Sequence, residues 1–190
     1  MEIRRLPATE AAVERYAAEL WLPYHRDLAA NVARHALADR PDGELIAAET
    51  EFQLGLLREN PDRRVWVVAA GSDADPGATD GDALAPTDPA PPGVPEPDRE
   101  LVAFVSTSVD ECPTVFDRPD RLVVGDIYVR EPYRGSGVAS RLLERAAADA
   151  RERDCGELRL DVDVDNERAM AFYEKHGFEP YREQLTREVE

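Results

Sequence analysis

The chain has 190 residues, with 40 Asp and Glu against 23 Lys and Arg, a formal charge of -17 and a pI near 4.6. That length is enough to bury an apolar core without disulfides or metals. The charge excludes the basic footprint that nucleic-acid binding needs, and no run reaches the ~18 apolar residues that cross a bilayer.

In chain order, Glu2 to Leu6 reads as a short strand. Thr9 can cap a helix from about residue 10 to 21, with Ala12, Tyr16 and Leu20 at helical spacing. Pro23 ends it or starts a second helix, to about Ala38. Pro41-Asp42-Gly43 is turn chemistry, and a third helix follows to Glu59, with Leu45, Phe52, Leu56 and Leu57 as core candidates. Arg64 to Ala70 is a buried strand. Residues 71–99 hold seven of the 15 prolines and almost no large apolar side chains, too few to offset ordering entropy. This stretch is expected to be a disordered acidic insertion between two halves of one domain, 1–70 and 100–190.

After it, Leu101 to Val109 and Arg121 to Arg130 read as strands. A helix from Gly137 to Arg153 places Val138, Leu142, Leu143, Ala146 and Ala150 on one face. Leu158 to Val164 alternates as a strand does. Asp165 or Asn166 caps a last helix to His176, Gly177 ends it, and Phe178 to Val189 offers a final strand. The order implies a mixed α/β sheet with helices on both faces.

The chemistry concentrates where the 121–130 strand runs into Arg134-Gly135-Ser136-Gly137-Val138-Ala139. Glycines let backbone N–H groups approach a ligand, and the helix start adds its dipole, so this junction suits a pyrophosphate. No GK[ST] follows, and the spacing is not that of a dinucleotide loop. Downstream lies Asn166, Ala169, Phe172, Tyr173, Gly177 and Phe178, a capped helix with an aromatic pair. Asp126 sits on the strand, and Trp21, Tyr24, His25, Arg26 and Asp27 form a polar-aromatic cluster on the N-terminal helices. His25, His35 and His176 read as surface, packing or helix-end residues.

These segments, in this order, resemble the GNAT family of N-acetyltransferases, whose pyrophosphate motif [Q/R]-x-x-G-x-[G/A] fits residues 134–139. Pro132, one place later than usual, and the long insertion depart from its pattern. The resemblance implies a mostly antiparallel twisted sheet with a splayed parallel strand pair. It implies acetyl-CoA as acyl donor, held by Arg134, Gly135, Ser136, Gly137, Val138 and Ala139 at the pyrophosphate. Ile127, Tyr128 and Val129 would lie along the pantetheine, and Asn166 and Phe172 beside it. Tyr173 would be the general acid, Asp126 a candidate base or amine-binding group, and no metal is required. The acceptor would be a primary amine of a small molecule or a protein. The alternatives are an acyl-CoA-binding regulator without turnover, or an enzyme for protein N-termini or lysines. Homodimers are common in the family, and the sequence leaves the oligomeric state open.

The absence of an apolar segment behind Met1-Glu2-Ile3-Arg4-Arg5 points to a cytoplasmic protein without a membrane partner. Cys112 and Cys155 lie in no metal-binding spacing and read as reduced thiols. So acidic a surface repels itself unless salt screens it, which suggests a halophilic source.

Overall fold

The computed structural model describes residues 1–71, 99–187 and 189. The insertion expected at 71–99 therefore falls almost wholly outside the described residues. Among the described residues, five strands form one sheet in the order β1 (Glu2–Arg5), β2 (Arg64–Ala69), β3 (Leu101–Asp110), β4 (Arg121–Val129), β5 (Glu157–Leu160). The first three pairings are antiparallel and β4–β5 is parallel.

The alternation of β2 explains the layering. Trp66 and Val68 face α4 (Val138–Glu152), whose Val138, Leu142, Ala146 and Ala150 fill that side. Val65, Val67 and Ala69 face the opposite way, toward Ala12, Val13 and Tyr16 of α1 (Glu10–Tyr16) and Leu54 and Leu57 of α3 (Asp42–Glu59). Phe104 and Tyr128 bring β3 and β4 into this second core.

Of the two readings of Pro23, the start of a second helix holds, though within a continuous helical run. Leu22 N–H bonds the Ala17 carbonyl five residues back, so a π turn (Ala17–Trp21) joins α1 to α2 (Leu22–Asn31). The wider turn accommodates a proline that has no N–H and would crowd the carbonyl four residues back. α2 ends at Asn31, short of Ala38, and a 3₁₀ turn (Ala33–His35) follows.

Three further expectations are corrected. Residues 178–187 form no strand: Pro180 lacks a donor, and Tyr181 and Leu185 stand exposed with no apolar face to cover them. β5 stops at Leu160 and Val164 is 88% exposed, because the chain must turn to reach the Asn166 cap of α5 (Glu167–Lys175). Phe52 is 60% exposed, and α3 buries Glu49, Thr50 and Gln53 instead.

Candidate functional site

The site starts from an irregularity in β4. Val105 pairs with Ile127 but Thr107 pairs with Val124, so Gly125 and Asp126 together oppose Ser106. This is a β-bulge, which bends a strand and re-aims its side chains. The Asp126 N–H donates to Ser106 Oγ at 2.9 Å. A Cβ on Gly125 would lie 2.6 Å from that oxygen, so glycine is required there by proximity.

The bulge coincides with the end of the parallel pairing. β5 partners only Arg121 to Val124, while β4 runs on to Val129. The Arg130 N–H donates to the Val102 carbonyl at 2.9 Å. Antiparallel alternation then turns the Tyr128 amide to β3, and the Ile127 and Val129 amides to the edge that β5 has left. The strand-end opening expected from sequence is therefore present, with two of its three residues presenting backbone to it.

The glycine turn closes on this same edge. Arg134 Nε donates to the Val129 carbonyl at 3.0 Å, which anchors the turn there. Gly135 (φ +80°) and Gly137 (φ +83°) adopt the left-handed conformation, and a Cβ on either would enter open space. Gly137 caps α4 without a side chain, so the first helical N–H groups have no intrahelical acceptor. Ser136 Oγ turns inward and donates to the Tyr133 carbonyl at 2.6 Å. Val138 is buried against the sheet, so it and Ala139 contribute backbone at the helix start.

The guanidinium of Arg134 is engaged on the other side. It pairs with Asp27 Oδ2 at 2.5 Å and lies 5.8 Å from the Tyr128 ring centroid. Tyr128 OH donates to the same Asp27 oxygen at 3.2 Å. Burial and Asp27 push the Tyr128 hydroxyl up to about 12. Sequence reasoning named Asp27 but not this link, which ties α2 to the glycine turn. The rest of the cluster divides. Tyr24 OH donates to Asp126 Oδ1 at 3.0 Å, while Arg26 pairs with Asp42 at the surface. His25 bonds the Trp21 carbonyl at 3.0 Å within its own helix.

Tyr173 is buried on α5, with Phe172 and Phe178 rings edge-on to it. Burial, and then the charge of Asp126, push its hydroxyl up to about 12. The same two causes raise Tyr24 still further. The fold thus brings Tyr24, Asp126 and Tyr173 within electrostatic reach of one another. Asn166 Oδ1 accepts from Ala169 N–H at 3.1 Å, so its side chain caps α5. Phe172 is half-buried against the His176 ring, with centroids 4.4 Å apart. His176 is more than a helix-end group. Its Nδ1 lies 2.8 Å from the Phe172 carbonyl and its Nε2 2.9 Å from Ser140 Oγ, fastening α5 to the first turn of α4. His35 and Asp163, 2.8 Å apart, similarly tie the turn after α2 to the loop after β5.

Residues 9–178 match the profile of the Acetyltransferase (GNAT) family. The chain belongs to that family. This GNAT protein is 42% identical over 52 residues to a thialysine N-epsilon-acetyltransferase of Bos taurus, covering 27% of this chain and 31% of that one. It is also 42% identical over 50 residues to N-alpha-acetyltransferase 30 of Schizosaccharomyces pombe, covering 26% and 33%. The chain thus spans about a third of the length of these curated relatives. Among solved structures, the aminoglycoside antibiotic 6'-N-acetyltransferase of Acinetobacter haemolyticus matches with a TM-score of 0.61 at 17% identity, over 100% of this chain and 99% of that one. At that identity the likeness is one of fold.

The sequence reading missed Glu49. It is 8% exposed on α3, and burial pushes its carboxyl up to about 7. Its signal was a polar pair, Glu49 and Gln53, one turn apart on the stripe that carries Ile46 and Leu57.

Proposed function

We propose that this protein transfers the acetyl group of acetyl-CoA to a primary amine. One observation carries the reading: among the described residues β5 leaves the far end of β4 without a partner strand, and Arg134 Nε anchors the glycine-capped start of α4 to the Val129 carbonyl there. The residues present fit the donor, because the Cβ-free side of Gly135 and Gly137 leaves space for a pyrophosphate at α4. The donor supplies an activated thioester carbonyl.

The chain's own groups divide the work. Backbone N–H groups from Gly135 to Ala139 hold the phosphates, with Arg134 and Ser136 shaping the turn. The Ile127 and Val129 amides line the pantetheine, and one of them polarises the carbonyl. Tyr128 supports the strand through its bond to Asp27. Asn166 and Phe172 order the loop and α5. Tyr173, held protonated by burial, gives a proton to the departing sulfur. Asp126 attracts the acceptor ammonium.

Release of CoA thiol tests this. The purified protein is mixed with acetyl-CoA and, separately, 1,4-diaminobutane, lysine methyl ester or a Met-initiated peptide. Amine-dependent release is the expected result. Tight acetyl-CoA binding with no release for any of these amines would favour a regulatory module.

The acidic composition supports a salt-rich cytoplasm as the setting. The unfolding midpoint should rise from low to molar KCl, and an unchanged midpoint would count against it.

A further inference from the structure

Resting on the acyl-transfer reading, we propose that Ser140 and His176 are a positioning pair for Tyr173: their hydrogen bond docks α5 on the first turn of α4 and so fixes the proton donor relative to the turn that takes the phosphates. Nothing in the sequence links the two residues, which are 36 positions apart.

α5 needs such a support. It has nine residues, and helices shorter than ~12–15 residues are marginal in water on their own. The rings of Phe172, Tyr173, His176 and Phe178 pack against one another, but all four belong to this one segment. Ser140 Oγ and His176 Nε2 lie 2.9 Å apart. Among the described residues, this is the only hydrogen bond from α5 or its caps to another helix or strand.

The chemistry of the ring fixes the direction of that bond. A carbonyl oxygen only accepts, so His176 Nδ1, 2.8 Å from the Phe172 carbonyl, carries a proton. In the neutral ring Nε2 is then the acceptor and the Ser140 hydroxyl the donor. In the charged ring Nε2–H donates to the same hydroxyl oxygen, so the tie holds in both forms. Both ring nitrogens are engaged and the ring rests on Phe172, which sets its orientation.

A short path leads from the ring to the acid. The His176 N–H donates to the Tyr173 carbonyl at 2.9 Å, and the Phe178 N–H donates to the same oxygen at 3.1 Å. Ser140 is the third residue of α4, next to the amides of 135–139. One end of the bond therefore belongs to the phosphate turn and the other to the backbone that carries Tyr173. An acid must sit within hydrogen-bond reach of the atom it protonates, and a misplacement of about 1 Å can cost about 10²-fold in rate.

Lys175 makes the docking measurable. It is the only lysine of the chain and stands exposed at the last position of α5, so a lysine-specific protease cuts there only once the helix opens. The test compares Ser140→Ala, which leaves the cleavage site untouched, with His176→Asn and His176→Gln. Asn can donate to the Phe172 carbonyl but falls short of Ser140, whereas Gln reaches the position of Nε2. Cleavage of the folded, untagged protein should be roughly 2- to 10-fold faster in Ser140→Ala and His176→Asn, the effect of losing one hydrogen bond, and close to the parent rate in His176→Gln. For the fastest amine among the three probes, kcat should fall roughly tenfold in the first two variants, with the KM and affinity for acetyl-CoA unchanged. Combined with Tyr173→Phe, Ser140→Ala should cost nothing further in kcat. Unchanged cleavage, a kcat loss that adds in full to that of Tyr173→Phe, or a His176→Gln protein as impaired as His176→Asn overturns the proposal. A parent that binds acetyl-CoA yet acetylates no amine overturns the acyl-transfer reading and the positioning of an acid with it, and the cleavage rates then separate that failure from a failure of the docking bond.

Discussion

Replacing Gly137 with alanine isolates backbone geometry from chemistry. The residue sits at φ +83° as the cap of α4, and a Cβ there meets nothing within 4 Å. No clash within the protein is expected, so the stability cost is that of the left-handed conformation, about 1–2 kcal/mol. For a domain of this size about 1 kcal/mol shifts melting by about 2–4 °C, so a fall of about 2–8 °C is expected. The added methyl also enters the open side of the turn, where the pyrophosphate would lie. Acetyl-CoA affinity should drop at least about tenfold, or about 1.4 kcal/mol, by calorimetry. Gly55→Ala is the control. It lies inside α3 with open space at its Cβ and no positive φ, so it should gain about 0.5–1 kcal/mol and leave affinity alone. A Gly137→Ala protein that melts lower yet binds acetyl-CoA like the parent would refute the placement of the phosphates. Unchanged melting would refute the conformational argument.

Tyr173→Phe should lower turnover roughly 10²-fold with acetyl-CoA affinity kept. Because the parent hydroxyl is pushed up to about 12, its proton stays on through the neutral range and is lost only as pH climbs toward that value. A pH profile of turnover with no alkaline limb before then is the matching expectation. Asp149→Ala should cost about 1–3 kcal/mol in a denaturant titration. Asp149 is 0% exposed and accepts from Thr107 Oγ1 (2.8 Å), Arg153 Nε (3.2 Å) and Arg64, so its loss leaves the buried Thr107 hydroxyl without that acceptor, while Arg64 keeps Glu152 and Arg153 keeps Asp62. Gly125→Ala should push Ser106 Oγ off the Asp126 amide, costing about 1 kcal/mol and reducing turnover with it. Parent-like stability and turnover would show that this contact does not hold the bulge.

Much of the fold was legible because local chemistry and burial agree. The stripe Val138, Leu142, Leu143, Ala146 and Ala150 is buried as its helical spacing requires. Gly135 and Gly137, read as letting backbone N–H groups approach a ligand, take up positive φ, and Asn166 caps α5 as its residue type favours. The failures occur where apolar content misleads. Val164 continues the alternation of Leu158, Leu160 and Val162, and Phe178, Tyr181 and Leu185 offer apolar side chains beyond the last helix, yet among the described residues no neighbouring strand pairs with either segment. Phe52 points to solvent while Glu49 and Gln53 fill the helix underside, an inversion that a hydrophobicity pattern cannot register. Long-range links were hidden for a different reason. Asp27 and Arg134 are 107 positions apart, and only the folded sheet brings α2 to the glycine turn.

The most direct measurement is a calorimetric titration of the folded protein with acetyl-CoA in molar KCl, repeated with Gly137→Asp. Micromolar binding by the parent, lost when a side chain and negative charge enter the turn, is the predicted result. A folded parent that takes up no acetyl-CoA, or a Gly137→Asp protein that binds as well as the parent, would contradict the assignment of the site.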